Sequence, residues 1–414
     1  MRLSGIWCLA ALVASVVAPA APTVHVKGLD GTWKALPATR QQGRVVVDLT
    51  PADAPGGMTT LVINKPDWMV LDDTQPPLLL SVLVGDQPVA VDGALNLGVH
   101  DARIPPITVR VADAANPIDP TAAQVRLQNA SAQVRVDASS VKPPDTSGLF
   151  TVTLSGLAPG VYSGEIVAAD MSPQANRLTA PFKIAVFGAT IDEDSKSVSL
   201  ASTEASYRVT PDAKVPITIG GADAQAYVTG QLEGWMYPRA IESARLVLDE
   251  PDVKICRVVT GVGDSSGEPI DAPGRYEYDL QVRRDLPCLI VESRLYNDLE
   301  DREAYMFWGW LPGAGYETAD GPEDWTMTYR EIGQVGWIYL PSATEARPGI
   351  GWISPLMFGE SRFGNMLLYT APQKAPCKKG DSVQMSFALM PATSAEEVGR
   401  VAAKIDELGI WQQR

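Results

Sequence analysis

The chain has 414 residues, 45% hydrophobic and 20% charged, with a net charge of −15 and a pI near 4.7. That length suits two or three domains of ordinary size, each able to bury a core. The acidic balance argues against a nucleic-acid partner, because phosphate binding depends on clustered Lys and Arg. Absence of Walker, Rossmann and HExxH patterns removes the common nucleotide and zincin chemistries, and no cofactor is expected.

Arg2, the apolar run Ile6 to Val17 and Ala18-Pro19-Ala20 fit the charged, hydrophobic and small-residue parts of a secretory signal over residues 1–20. The run is about 12 residues, short of the roughly 20 that span a bilayer. The expectation is a secreted, periplasmic or cell-envelope protein starting near Ala21, without a transmembrane segment after signal removal.

After the signal, short segments rich in Val, Ile, Thr and Tyr alternate with Gly, Pro, Asn and Asp clusters, the pattern of sandwiches or barrels. A small β domain is predicted over 21–75, with strands at Val24 to Val26, Trp33 to Leu36, Arg44 to Leu49 and Thr59 to Ile63. The segment Asp72-Asp73-Thr74-Gln75-Pro76-Pro77 marks its end, because prolines cannot donate to a ladder.

Over 76–188 the strand candidates are Leu78 to Val84, Ala94 to Val99, Ile107 to Ala112, Ala123 to Leu127 with Ala132 to Val136, Phe150 to Leu154, Tyr162 to Ala168 and Phe182 to Phe187. Such a density is that of a β-sandwich. Leu157-Ala158-Pro159-Gly160-Val161-Tyr162 opens a strand as a tyrosine corner does, with the phenol bonding back to the turn. On these residues the region resembles bacterial immunoglobulin-like or cadherin-like modules, a resemblance that speaks to fold and not to function. Asp113, Asp119 and Asp170 read as turn carboxylates, since no regular calcium-ligand series is present.

Residues 189–414 carry about a dozen further strand candidates, enough for two large packed sheets. Thr393-Ser394-Ala395-Glu396-Glu397 then starts a helix, with Val398, Val401, Ala402, Ile405 and Leu408 at helical spacing and Gly409 as its stop. The predicted fold is thus mainly β: a small N-terminal β region, an immunoglobulin-like β-sandwich and a large C-terminal sandwich with one terminal helix. The hairpin Tyr276 to Val282 and Leu289 to Asn297, with the Lys379-Gly380-Asp381 turn, resembles the galactose-mutarotase-like supersandwich of carbohydrate-active proteins. The mutarotases' catalytic histidines have no counterpart, because His25 and His100 both lie far upstream.

Strand side chains alternate between faces. Tyr276, Tyr278, Leu280, Val282, Leu289, Val291 and Leu295 therefore form a core face. Glu277, Asp279, Gln281, Glu292, Arg294 and Tyr296 form a face suited to hydroxyl-rich ligands or to plain cross-strand ion pairs. Tryptophans concentrate at Trp308, Trp310, Trp325, Trp337 and Trp352, around a predicted loop from Pro312 to Tyr329 that also holds carboxylates. Aromatic planes cover sugar C–H faces while carboxylates take hydroxyls, although Trp and Tyr also fill large cores. The candidate ligand-binding residues are Trp235, Tyr237, Glu292, Arg294, Trp310, Tyr316, Glu317, Trp325 and Tyr329.

Cys8 leaves with the signal. Cys256, Cys288 and Cys377 lack CxxC spacing, which argues against zinc. They read as three buried thiols, or as one bridge between Cys256 and Cys288 plus a free thiol. The expected function is carbohydrate or polysaccharide binding without turnover. The alternatives are a polysaccharide lyase or glycoside hydrolase, and an envelope adhesion or scaffold protein.

Overall fold

The computed structural model describes residues 24–27, 33–41, 44–50, 53, 61–63, 74–113, 115–129, 135–136, 139–142, 148–211, 217–220, 222, 225–226, 228–231, 235–264, 268–270, 274–298, 300–312, 315–324, 330–342, 347–362, 365–369 and 375–411. The described residues are mostly β-strand, with a single described helix near the C-terminus.

Near the N-terminus Val24–Lys27 pairs antiparallel with both Trp33–Leu36 and Leu61–Ile63. The expected strand from Arg44 pairs instead with Ala38–Gln41, making a separate hairpin.

Residues 78–186 form two five-stranded sheets. Their alternating apolar positions, among them Val82, Val109, Phe150, Val152, Phe182 and Ile184, close one core at 4% exposure or less. Tyr162 supplies the tyrosine corner: its hydroxyl donates to the Ala158 carbonyl at 2.6 Å. The three aspartates serve turns. Asp113 accepts from the amides of Ala115 and Asn116, Asp119 from Thr121, and the buried Asp170 from Ser172 and Asn176. Short polar side chains that bond the backbone two or three residues on stabilise such turns.

From Gly188 to Ala226 the chain runs as a five-stranded meander packed on a 13-stranded sheet. In that sheet the order is Gly349–Arg362, Asn365–Tyr369, Arg302–Pro312, Val228–Gln231, Trp235–Glu250, Val253–Gly263, Gly274–Arg283, Leu289–Asn297 and Ser382–Ala392. Ser382–Ala392 also pairs with Gly349–Ile353, so these strands return on themselves as a closed circuit. Gly349–Arg362 makes this possible: its first residues pair with Ser382–Ala392, and Phe358 to Arg362 pair with Asn365–Tyr369.

Inward-facing side chains of the circuit meet the meander in a common core. Tyr276, Leu280, Val282, Val291, Trp352 and Phe387 are each 1% exposed or less. Tyr207 ties the layers together, its hydroxyl donating to the carbonyls of Pro287 and Leu389 at 3.2 and 3.1 Å. Asn297, fully buried, explains why the hairpin closes on an asparagine: its amide donates to the carbonyls of Glu300 and Cys377, and its backbone bonds Gly380 and Asp381.

The helix Ala395–Glu407 is capped by Ser394, whose hydroxyl accepts from the Glu397 amide, and Gly409 leaves it with φ +62°. Val398, Val401 and Ile405 bury its apolar stripe against Ile290, Tyr339, Ile353, Ala388 and Met390 on the outer face of the sheet. Gly351 permits that contact, because an added Cβ there would lie 2.6 Å from Val398.

Candidate functional site

Beyond the helix the same outer face changes character within one residue step. Ile255, Gln281, Ile290 and Ala388 stand in register across four strands. The next row is Arg257, Asp279, Glu292 and Ser386; the one after it is Val259, Glu277, Arg294 and Gln384. Period-two alternation causes this, since every intervening position faces the core.

Arg257 grips Asp279 bidentately, Nε to Oδ1 at 2.7 Å and Nη2 to Oδ2 at 2.8 Å, and lies 3.5 Å from Glu277. From the other side Arg294 donates Nη1 to Asp279 at 2.9 Å and to Glu277 at 3.1 Å, and Nη2 to Glu292 at 2.6 Å. Two guanidiniums thus bind three carboxylates across three strands. These side chains keep between 11% and 29% of their surface, so the array is desolvated at its base and reachable at its rim. Burial alone would raise the Asp279 carboxyl; hydrogen bonds from Arg257 and Arg294 outweigh it and hold the group below its ordinary value. The guanidinium of Arg257 is raised in turn, chiefly by its hydrogen bonds to Asp279.

One row further out lie Gly261, Arg275, Tyr296 and Ser382. The Arg275 guanidinium sits over the Tyr296 ring, 4.0 Å from its centroid, and 3.6 Å from Asp298.

Of the residues expected from sequence, Glu292 and Arg294 meet at this array. Tyr237 is half-buried at the start of the long strand Trp235–Glu250, paired across from Gly263. Glu317 lies across from Tyr339 on the strand Arg330–Leu340, which reaches Leu289–Asn297 only through Gly349–Arg362 and Ser382–Ala392, with the helix-covered rows between. Tyr316 is corrected. It was expected to offer an exposed face, but it is 2% exposed and packs in the inner core. The predicted loop is in part a hairpin, Gly315–Thr318 with Gly321–Asp324, turned at Gly321 with φ +117°, and alternation on it sends Tyr316 inward. Trp325 and Tyr329 lie outside the described residues, and for Trp235 and Trp310 only strand backbone is described. Trp352 is core, fully buried with its ring 4.9 Å from that of Phe387, and Trp337 is half-buried beside the helix at Gly399.

Sequence reading missed Arg257. It stands between Cys256 and Val258, both fully buried, and only the register of Val253–Gly263 against Gly274–Arg283 brings it to Asp279. Of the two readings of the cysteines, three buried thiols is the one the structure shows, and the Cys256–Cys288 bridge is not formed. Both thiols are free and buried, Cys256 in the inner core and Cys288 in the helix-side cluster on the opposite face. Among the described residues no group of His, Cys, Asp and Glu is placed to hold a metal ion.

No family model matches the sequence, and no curated protein does. A GH36 alpha-galactosidase from Geobacillus stearothermophilus is 10% identical over 50% of this chain and 41% of its own, with a TM-score of 0.36. An alpha-mannosidase from Enterococcus faecalis is 10% identical over 78% of this chain and 44% of its own, at a TM-score of 0.35. Drosophila N-cadherin is 10% identical over 89% of this chain and 93% of its own, at 0.17. The chain spans less than half the length of the two hydrolases, and likenesses this distant carry no argument about activity.

Proposed function

We propose that the chain is an exported, multidomain carbohydrate-binding protein that acts without turnover. The observation that carries this reading is the array of Arg257, Glu277, Asp279, Glu292 and Arg294, which lines up donors and acceptors along two rows of a sheet face. Sugar hydroxyls both donate and accept, and a surface of alternating carboxylates and guanidiniums whose geometry is already fixed meets them with little further ordering. Stacking faces are assigned to Trp235, Trp310, Trp325 and Tyr329, on the strength of their concentration in sequence. Domain boundaries near residues 75 and 188, and export through residues 1–20, belong to the same proposal.

Asp279 does not suit the general-acid role of a glycosidase. A glycosidase needs one carboxyl kept protonated near neutral pH as general acid. Asp279 is shifted the opposite way, by guanidiniums that hold it ionised.

A glycan array probed with the whole chain tests the reading. Glu292→Gln keeps the side chain's shape and replaces an acceptor with a donor, so retention on the positive glycans should fall by about tenfold. Equal retention of wild type and variant removes the face from consideration, and a blank array removes carbohydrate binding.

A further inference from the structure

One guanidinium on this face is engaged differently from its neighbours. Arg257 and Arg294 give their N–H groups to carboxylates at 2.6 to 3.1 Å. Arg275, among the described residues, touches only the Tyr296 ring and, at 3.6 Å, Asp298, which is past ordinary hydrogen-bond length. Its side chain is 45% exposed. On the adjoining strand its cross-strand partner is Gly261, which puts no side chain over it. The guanidinium therefore rests on an aromatic ring with hydrogen-bonding capacity to spare. Arginine held this way has already lost much of its rotamer freedom and offers paired N–H groups that fit a carboxylate bidentately.

The surroundings limit how much negative charge the position accepts. A Glu242 carboxylate oxygen lies 2.7 Å, and Cδ of Arg239 3.8 Å, from where a Cβ on Gly261 would be, and Asp298 stands on the other side of Arg275. A second ligand carboxylate would meet the carboxylate of Glu242 or of Asp298, with Arg239 beside the first. The whole chain carries −15, so a polyanion is repelled on approach, whereas one carboxylate at contact lies well inside a Debye length of about 8 Å.

We propose that Arg275 on Tyr296 is a carboxylate-selective subsite at the edge of the sugar-binding face, taking a single uronic acid carried on an otherwise neutral glycan. This rests on the carbohydrate reading above and adds the chemical class of the ligand.

The test uses the whole chain in affinity electrophoresis through gels containing glucuronoxylan, or the same polymer with its carboxyl groups reduced to alcohols. Wild type should bind the acidic polymer about tenfold more tightly, the advantage of one charge-assisted pair at a partly exposed site. Arg275→Gln should abolish that ratio and leave affinity for the reduced polymer unchanged. Arg275→Lys should restore only part, because an ammonium cannot fork. Equal binding of both polymers by wild type, or a preference that survives Arg275→Gln, overturns the subsite while the carbohydrate reading stands. Tighter binding of polyglucuronate than of glucuronoxylan at equal uronic acid concentration overturns the single-carboxylate claim. Retention by neither polymer overturns the subsite, and together with a blank glycan array it overturns the binding face as well.

Discussion

Asp279 is held from both sides, by Arg257 on one neighbouring strand through paired bonds of 2.7 and 2.8 Å and by Arg294 on the other at 2.9 Å. Removing either arginine leaves largely desolvated carboxylates short of charge. Breaking a buried pair costs about 3 to 5 kcal/mol, and the residual exposure here reduces this. Arg294→Ala should therefore destabilise by about 2 kcal/mol. Urea unfolding of Arg257→Ala, Asp279→Ala and the double variant should show a coupling of at least about 1 kcal/mol. Additivity would mean that the array contributes nothing jointly.

The same carboxylate sets an acid limit. Its folded value lies below the ordinary 3.8, so the folded state takes up a proton less readily than the unfolded chain. The stability this provides is complete above about pH 5 and is lost as pH falls through 3.8 toward the lower folded value. Urea midpoints measured at pH 5 and pH 3 should fall further for wild type than for Asp279→Asn; parallel losses would contradict the assignment.

Burial pushes the thiols of Cys256 and Cys288 up to about 12, and that of Cys377 upward as well. Thiolate is the reactive species. At pH 8 a disulfide reagent such as DTNB should leave Cys256, Cys288 and Cys377 unmodified for many minutes in the folded protein and modify them in guanidinium chloride, as peptide mapping of the labelled cysteines would show. Recovery of a Cys256–Cys288 peptide after non-reducing digestion would contradict their placement on opposite faces.

Trp352 has no exposed surface and packs on Phe387, so Trp352→Ala should cost about 3 to 5 kcal/mol, and Trp352→Phe clearly less. A loss under about 1 kcal/mol, read from denaturant midpoints, would mean that this ring is not core.

Tyr162→Phe removes the corner hydrogen bond to Ala158 without changing packing volume. The expected loss is about 1 kcal/mol. It should appear as faster amide exchange in residues 157–186, with the C-terminal sheet unchanged.

Strand identity and facing were legible wherever a hairpin was long and its alternation unbroken. Tyr276 to Val282 and Leu289 to Asn297 show their core and polar faces in composition alone, and a short turn fixes their register. Arg257 was not legible, because its place depends on pairing Val253–Gly263 with its neighbours, and the ladder to Trp235–Glu250 slips register at several points. Tyr316 misled for a related reason: Gly and acidic residues around it looked like a loop, yet they turn a hairpin whose inward position it occupies.

The return of Ser382–Ala392 onto Gly349–Ile353 determines when this part of the molecule can form. Leu289–Asn297 pairs with a strand nearly a hundred residues later, and loop-closure entropy delays such contacts. Until residues 382–392 are in place, Leu289–Asn297 and the start of Gly349–Arg362 each present an unpaired edge, and the bed for the final helix is incomplete. A growing chain would carry this region as an open ribbon until residues 382–392 have been made. Premature termination before Ser382 would thus produce a species prone to aggregate by edge pairing, rather than a folded protein lacking only Ser382–Ala392 and the helix Ala395–Glu407.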